Sequence, residues 1–158
     1  MPSIVSVFPE TVLLISSTVH NSKEVNKYLQ LAKKGGFNKN VQFLGRLDYR
    51  LLPAYYSIAN VVVQPSIEQN MSLPVKEAMA CETPVITLNE GWEQTPNGKA
   101  GFLVNTKKPV EITNAITKIL ADKRMALRMG REGRKIVLNK FTWDSVANMF
   151  ERAGDHSF

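Results

Sequence analysis

The sequence predicts an α/β protein whose parallel strands form a sheet flanked by helices. Short apolar runs, such as 12–15 and 85–88, alternate with segments in which apolar residues recur at helical spacing, such as 22–34. This alternation is typical of strand–helix units that pair in parallel. With 158 residues, 44% hydrophobic and 22% charged, the chain is expected to form one globular domain over 1–158.

The first part of the chain is predicted to contain two strands and two helices. The pair Gly35-Gly36 ends the first helix, and Gly45 stops the second strand. Pro53 falls in the first turn of the second helix, where a missing amide hydrogen is tolerated. The predicted elements are strand 12–15, helix 22–34, strand 41–44 and helix 51–58.

The rest of the chain is predicted to contain three short strands and four helices. Pro109 begins an amphipathic helix, and the next helix is expected to break near Gly130 or Gly133. Thr142 is the expected cap of the last helix. The predicted elements are strands 61–63, 85–88 and 102–104, and helices 73–80, from Pro109 onward, 125–138 and 143–152.

The composition excludes several classes of protein. No apolar run reaches the roughly 18 residues of a membrane-spanning helix, and no signal-peptide pattern is present. Cys81 is the single cysteine, which excludes an internal disulfide and a cysteine-based zinc site and fits a reducing compartment. We therefore expect a cytoplasmic protein.

The net charge of +6 and the pI of about 9.5 favour an anionic partner or indicate only a solvated surface. The basic residues are not interleaved with aromatic residues, so no nucleic-acid partner is expected. A phosphorylated ligand and a peripheral contact with the inner face of a membrane stay open. The basic residues cluster late in the chain: Lys118, Lys123, Arg124, Arg128, Arg131, Arg134, Lys135 and Lys140.

The loop after the third predicted strand, with the helix that follows it, forms the candidate ligand site. Amides of Ser72 and Leu73 at the helix start, with the helix dipole, favour a diphosphate. Glu77 lies about one turn further, where its carboxylate is placed to accept hydrogen bonds from two ribose hydroxyls. Gln69 and Asn70 are placed to contact sugar hydroxyls. Ser72 also fits a plain helix cap, so the residues alone leave both interpretations open.

Six stretches carry a more specific pattern: VQFLG at 41–45, PS at 65–66, LPVKEAMAC at 73–81, TPVI at 83–86, GKAGFLV at 98–104 and FTW at 141–143. Together they resemble the carboxyl-terminal domain of the retaining group 1, family 4 glycosyltransferases of the GT-B fold. They occur in family order and spacing over nearly the whole chain. The resemblance implies a Rossmann-like domain that binds a UDP- or GDP-sugar donor and needs no metal or other cofactor.

The family signature consists of two glutamates separated by seven residues. The second matches Glu77, which the resemblance assigns to the nucleotide ribose. The first falls on Gln69, at the position that lies by the donor sugar and assists transfer. A glutamine keeps hydrogen bonding but lacks the charge that stabilises a cationic transition state. In the alternative, the loop shifts by one residue and Glu68 takes the catalytic role. The implied donor contacts here are Asn70, Met71, Ser72, Leu73 and Glu77.

The sequence departs from the family pattern at several places. Asn70 and Ser72 replace loop glycines that flank the donor phosphates, and Glu82 stands where a helix-ending glycine is usual. The family's first strand and its basic phosphate-binding loop, expected before Val12, are not recognisable. Phosphate charge is therefore expected to be stabilised by backbone amides or by another chain.

The loop after the second strand is the implied pocket for the nucleotide base. The resemblance suggests base contact by Leu47 and by the backbone near Gly45 and Arg46. The alternative is that Gly45 simply ends a strand and Arg46 is solvated.

Three functions follow from these observations. The leading hypothesis is a donor-binding domain that passes a sugar, with retention, to the hydroxyl of a glycan or lipid-linked acceptor. Acceptor binding would then need an amino-terminal domain or partner chain, and the isolated chain would be nearly inactive. The second hypothesis is a non-catalytic nucleotide-sugar-binding or partner subunit, motivated by Gln69. The third is a peripheral membrane or polyanion binder that uses the basic helices over 118–140.

Overall fold

A computed structural model describes residues 1–16, 22–64, 73–88, 98–105 and 107–147. Contacts between Cα atoms divide the chain into two compact units, Met1–Leu52 and Pro53–Phe158, and each is described by itself. Every strand pair recorded in either unit is parallel, and helices flank the strands. The predicted α/β class is therefore confirmed, whereas a single domain over 1–158 stays a prediction.

The first unit contains a two-stranded parallel sheet in which Leu13 lies opposite Val41. Its short opening helix was not expected from the sequence; Pro2 fits the first turn, where the ring's fixed φ suits a helix. The elements are α1 Pro2–Val5, β1 Leu13–Ser16, α2 Ser22–Lys34, a 3₁₀ turn Asn38–Asn40, β2 Val41–Gly45 and a 3₁₀ turn Tyr49–Leu51.

Side-chain and turn geometry fix the ends of these elements. The side-chain amide of Asn40 donates hydrogen bonds of 2.8 Å to the carbonyl oxygens of both Pro9 and Thr11, which ties the segment before β1 to the start of β2. Gly36 has φ +73°, a conformation that glycine adopts without steric cost, and it follows α2 as the sequence predicts.

The second unit contains a three-stranded parallel sheet in the order β3–β4–β5. The helix predicted over 143–152 is present over 143–147, and its remainder lies outside the described residues. The Thr142 hydroxyl accepts a hydrogen bond from the Ser145 amide at 3.2 Å, as expected of a cap. The other elements are α3 Leu52–Ile58, β3 Val62–Gln64, α4 Leu73–Ala80, β4 Val85–Leu88, β5 Gly101–Val104, α5 Pro109–Ala121 and α6 Lys123–Lys140.

Strand β4 is central and is covered on both faces. Val85 packs in a cluster with α4, whereas its neighbour Ile86 packs in a second cluster with α5 and Met129 of α6. Successive residues of a strand point to opposite faces, so a doubly covered sheet requires a largely apolar strand, and Thr87, the polar residue of β4, is also buried. The first of these clusters holds α4, which carries the candidate site, against the sheet.

Helix α6 is continuous from Lys123 to Lys140, so the predicted break near Gly130 or Gly133 is wrong. Both glycines are buried against other elements. A Cβ at Gly130 would overlap the carbonyl oxygen of Glu82, and one at Gly133 would lie 3.2 Å from Cγ of Met79. The glycines therefore allow α6 to approach its neighbours closely, and packing outweighs their low helix propensity.

Candidate functional site

Helix α4 begins at an exposed residue and has a buried side. Leu73 at its start is 64% exposed, whereas Val75, Ala78 and Met79 are almost completely buried. The helix spans Leu73–Ala80, which confirms the predicted bounds. Its start faces solvent in this unit. The predicted residues of the preceding loop lie outside the described residues: Glu68, Gln69, Asn70, Met71 and Ser72.

Pro74 limits which amides the start of α4 can offer. Helix starts leave their first amides without intrahelical partners, and these amides suit an anionic ligand. Pro74 is the second residue of α4 and has no amide hydrogen, so the first three helical residues supply amides only from Leu73 and Val75. The amide of Leu73, a largely exposed residue, is thus the described part of the predicted phosphate site.

Glu77 is half-buried one turn after Leu73, and its carboxylate is held in place by a tyrosine. The Tyr56 hydroxyl of α3 donates a hydrogen bond to Oε2 of Glu77 at 3.0 Å. The Tyr56 carbonyl oxygen in turn accepts a hydrogen bond of 2.6 Å from the buried Thr83 hydroxyl. Tyr56 is therefore fixed at its backbone and at its ring hydroxyl, and it orients the carboxylate.

The environment of Tyr56 keeps this hydrogen bond in one protonation state. Burial raises the pKa of Tyr56 well above its usual range, and the hydrogen bond and negative charge of Glu77 raise it further. The hydroxyl therefore remains a donor across the physiological pH range.

The end of α4 is built around Glu82, which has φ +60°. The amides of Glu82 and Thr83 donate to the carbonyl oxygens of Met79 and Ala78, both at 3.0 Å, a Schellman motif. Glycine is preferred at this left-handed position. Glu82 therefore occupies the position at which the family pattern has a helix-ending glycine, as the sequence predicts. Arg134 of α6 donates to the Ala80 carbonyl oxygen and lies 3.8 Å from the Glu82 carboxylate.

The predicted base-contact residues belong to the first unit. Gly45 ends β2 with φ +66°, and its carbonyl oxygen accepts a hydrogen bond of 3.2 Å from the Ser16 hydroxyl. Arg46 is exposed and Leu47 is half-buried. The structure therefore places Leu73 and Glu77 on one helix of the second unit. It places Gly45 at the end of β2 in the first unit, with Arg46 and Leu47 directly after it.

Tyr56 is a residue of the site that the sequence analysis did not single out. Its helix lies immediately before β3, and the candidate loop follows the same strand. The sequence signal that could have identified Tyr56 is its residue type and position. Tyrosine combines an apolar ring with a hydroxyl donor, and this one lies in the helix that precedes the glutamate of the site.

The described ranges contain neither a candidate metal site nor a candidate membrane span. Within 1–16, 22–64, 73–88, 98–105 and 107–147, no cluster of three His, Cys, Asp or Glu side chains is arranged to hold a metal ion. In the same ranges, no helix has the length and apolar character needed to cross a bilayer.

Comparison with known proteins identifies the family. Residues 2–136 match the family model described as glycosyl transferases group 1. The chain belongs to the group 1 glycosyltransferase family. A curated relative is the GDP-mannose-dependent alpha-(1-6)-phosphatidylinositol monomannoside mannosyltransferase of Mycobacterium tuberculosis, 29% identical over 127 residues. That match covers 75% of this chain and 33% of the relative, so the chain spans about a third of that protein's length.

Solved structures agree with this assignment. Sucrose-phosphate synthase from Thermosynechococcus elongatus superposes with a TM-score of 0.83 at 30% identity, covering 98% of this chain and 40% of that one. The C-terminal domain of the group 1 protein LpcC from Francisella tularensis gives 0.79 at 23% identity, covering 90% and 75%. HepE from Anabaena in complex with UDP-glucose gives 0.78 at 18% identity, covering 96% and 44%. The last two similarities show the fold alone, and the fold is that of the carboxyl-terminal half of the GT-B glycosyltransferases.

Proposed function

We propose that this chain is the donor-binding part of a retaining glycosyltransferase. It binds a UDP- or GDP-sugar, and the sugar passes to the hydroxyl of a glycan or lipid-linked acceptor. Family membership supports the reaction class. A relative named as a GDP-mannose-dependent mannosyltransferase and a neighbouring fold that binds UDP-glucose support a nucleotide sugar as the donor.

The observation that carries this proposal is the geometry of Glu77. Its carboxylate lies one turn beyond the exposed start of α4 and is oriented by the Tyr56 hydroxyl through Oε2. A carboxylate has about four acceptor positions, so one bond from Tyr56 leaves capacity for two ribose hydroxyls. A preoriented acceptor binds the ribose without a further loss of side-chain freedom.

The remaining donor contacts are proposed from the family pattern. The diphosphate lies at the amides of Ser72 and Leu73, and the loop residues Asn70 and Met71 contact the donor. Gln69 lies at the sugar, or Glu68 does if the loop is shifted by one residue. Gly45, Arg46 and Leu47 contact the base in this proposal.

Acceptor binding is proposed to reside outside this chain. The chain spans 33% of the length of the related mannosyltransferase, and an amino-terminal domain or partner chain would supply the acceptor site. Transfer by the chain alone is accordingly expected to be negligible. A cytoplasmic location is part of the proposal and rests on the single cysteine, Cys81.

Calorimetric titration of the chain with UDP-glucose, UDP-N-acetylglucosamine and GDP-mannose tests donor binding. Glu77→Gln should lower the affinity for the donor by roughly 10- to 100-fold, because hydrogen bonds to a charged acceptor contribute about 1.5–3 kcal/mol. The matched control is Glu111→Gln, which removes an exposed carboxylate of the same unit and should leave affinity unchanged. No heat with any donor, or equal affinity for Glu77→Gln and the parent chain, would contradict the proposal.

The glutamine at 69 favours a second candidate, a nucleotide-sugar-binding subunit without catalytic activity. The assay is sugar transfer by the complete protein or complex in which this chain functions, with the parent residue and with Gln69→Glu. If the parent protein binds the donor without transferring the sugar, and Gln69→Glu gains transfer, the chain is the non-catalytic subunit of the second candidate. Transfer by the parent protein would assign the first.

A further inference from the structure

The positive charge of the chain is concentrated on α6. This helix carries seven Lys or Arg residues and one acidic residue, Glu132, which gives it a formal charge of +6. The whole chain also has a net charge of +6, so its other residues are neutral in sum. The basic balance of the protein is thus a property of one helix rather than of a diffuse surface.

The outer face of α6 combines cations with two exposed leucines. At 3.6 residues per turn, one side of the helix lies opposite the buried Met129 and Gly133. Leu127 and Leu138 on that side are each 53% exposed. The stripe is about 21 Å long at 1.5 Å per residue. We call it the basic stripe, and it comprises Arg124, Leu127, Arg128, Arg131, Lys135 and Leu138.

The charge of the basic stripe is largely unneutralised. Lys135 pairs with Glu132 at 2.7 Å, and both side chains line a shallow surface groove with Arg124, Leu127, Arg128 and Arg131. Among the described residues, no ion pair is recorded for those three arginines. Three adjacent arginines on a solvent-facing helix surface form a local positive potential that an anionic partner would complement.

We propose that the basic stripe docks on an anionic lipid surface, with α6 lying parallel to the bilayer. The cations would meet lipid phosphates while Leu127 and Leu138 enter the boundary between headgroups and acyl chains. The leucines favour lipid over nucleic acid, because the phosphate backbone of a nucleic acid offers exposed aliphatic side chains far less apolar surface than the acyl chains of a bilayer do. The stripe also lacks the aromatic residues on which single-stranded bases stack.

This proposal does not rest on the proposed glycosyl transfer. The stripe needs no sugar nucleotide, and none of its residues belongs to the candidate donor site. Binding of vesicles and binding of donors are measured separately, so failure of one proposal is distinguishable from failure of the other.

Vesicle co-sedimentation of the 158-residue chain tests the proposal. The probes are vesicles of phosphatidylcholine alone and of phosphatidylcholine with about a third phosphatidylglycerol, at about 0.1 M and about 1 M salt. Binding should require the anionic lipid and should fall at high salt, where the Debye length shrinks from about 10 Å to about 3 Å. The triple variant Arg124→Gln/Arg128→Gln/Arg131→Gln should bind about 100-fold more weakly, since each cation near an anionic surface contributes about a factor of five.

The matched control removes the same number of charges elsewhere. Lys33, Lys39 and Lys107 are exposed and lie outside α6, so changing all three to Gln should alter vesicle binding by less than about tenfold. Leu127→Ala should weaken vesicle binding about fivefold, because it removes apolar surface that the lipid would bury. Unchanged circular dichroism spectra and melting temperatures would establish that all three variants fold like the parent.

Three outcomes would overturn the proposal. The first is the absence of binding to anionic vesicles at low salt. The second is an equal loss for the control triple and the stripe triple, which would indicate only an effect of net charge. The third is stripe-dependent binding of a labelled single-stranded oligonucleotide, by fluorescence anisotropy, without stripe-dependent binding of vesicles.

Discussion

Replacing Gly130 with alanine is expected to destabilise the second unit, although alanine is the better helix former. A Cβ at position 130 would overlap the carbonyl oxygen and carbon of Glu82. The obstructing atoms are backbone atoms of the turn that ends α4, so no side-chain rotation relieves the overlap. Either α6 or that turn has to move.

Two opposing effects set the magnitude. Alanine gains about 1 kcal/mol over glycine inside a helix. Overpacking a close contact costs about 1–3 kcal/mol, and a backbone obstruction favours the upper end of that range. Moving α6 also disturbs the buried Met129 and the Arg134 hydrogen bond to the Ala80 carbonyl oxygen. The net loss in free energy of unfolding is therefore expected to be about 2 kcal/mol.

Equilibrium urea unfolding, followed by circular dichroism, measures this loss. Gly133→Ala is the matched control on the same helix, because its Cβ would lie 3.2 Å from the flexible Met79 side chain and 3.4 Å from Cβ of Ala100. That variant is expected to stay within about 1 kcal/mol of the parent. If Gly130→Ala is as stable as Gly133→Ala or the parent, α6 does not approach Glu82 as the structure places it, and the reasoning fails.

Four further predictions concern the site and the core. Tyr56→Phe should weaken nucleotide-sugar binding by roughly 3- to 10-fold in calorimetry, whereas Tyr55→Phe should not. The pKa of Tyr56 in the folded state is raised above its unfolded value of 10.0, so its contribution to stability is complete below pH 10 and falls as pH rises beyond it. Urea unfolding from pH 8 to 11 should therefore show a decrease in the free energy of unfolding, and Tyr56→Phe should reduce that decrease. Glu82→Gly should be about 1 kcal/mol more stable than Glu82→Ala in urea unfolding, because only glycine relieves the left-handed conformation; equal stabilities would contradict this. Met79→Ala should lose about 2–5 kcal/mol in the same assay, and a smaller loss would mean that the cluster around Val85 collapses onto the cavity.

Local signals in the sequence were sufficient to predict most elements of the fold. The bounds of α2, α4 and β4 agree with prediction, because each is delimited by a strong signal in the chain itself. Gly35-Gly36 supplies the residue with positive φ that ends α2, and the apolar run of β4 predicts a strand covered on both faces. The sequence therefore predicts the boundaries of those elements whose ends are set by local conformation.

Features that depend on distant parts of the chain were not predictable in the same way. Gly130 and Gly133 were expected to interrupt α6, but their role is set by Glu82 and Met79, which lie about fifty residues earlier. The hydrogen bond from Tyr56 to Glu77 joins two helices separated by a strand and a loop. Neither periodicity nor propensity reports such pairings, because both describe only neighbours along the chain.

Glu82 and Gln69 show how differently two departures from a family pattern act. At 82 the family pattern requires a backbone conformation, and the protein keeps that conformation with φ +60° while Arg134 hydrogen-bonds the end of the helix. The helix end thus keeps its conformation without the glycine, and the expected cost is one of stability. At 69 the pattern requires a negative charge, which the glutamine lacks and which would be supplied only by Glu68 if the loop is shifted by one residue. The substitution at 82 is therefore expected to leave donor binding intact, whereas the one at 69 is proposed to act on the transfer step. Comparing Glu82→Gly with Gln69→Glu separates the two effects by stability and by turnover.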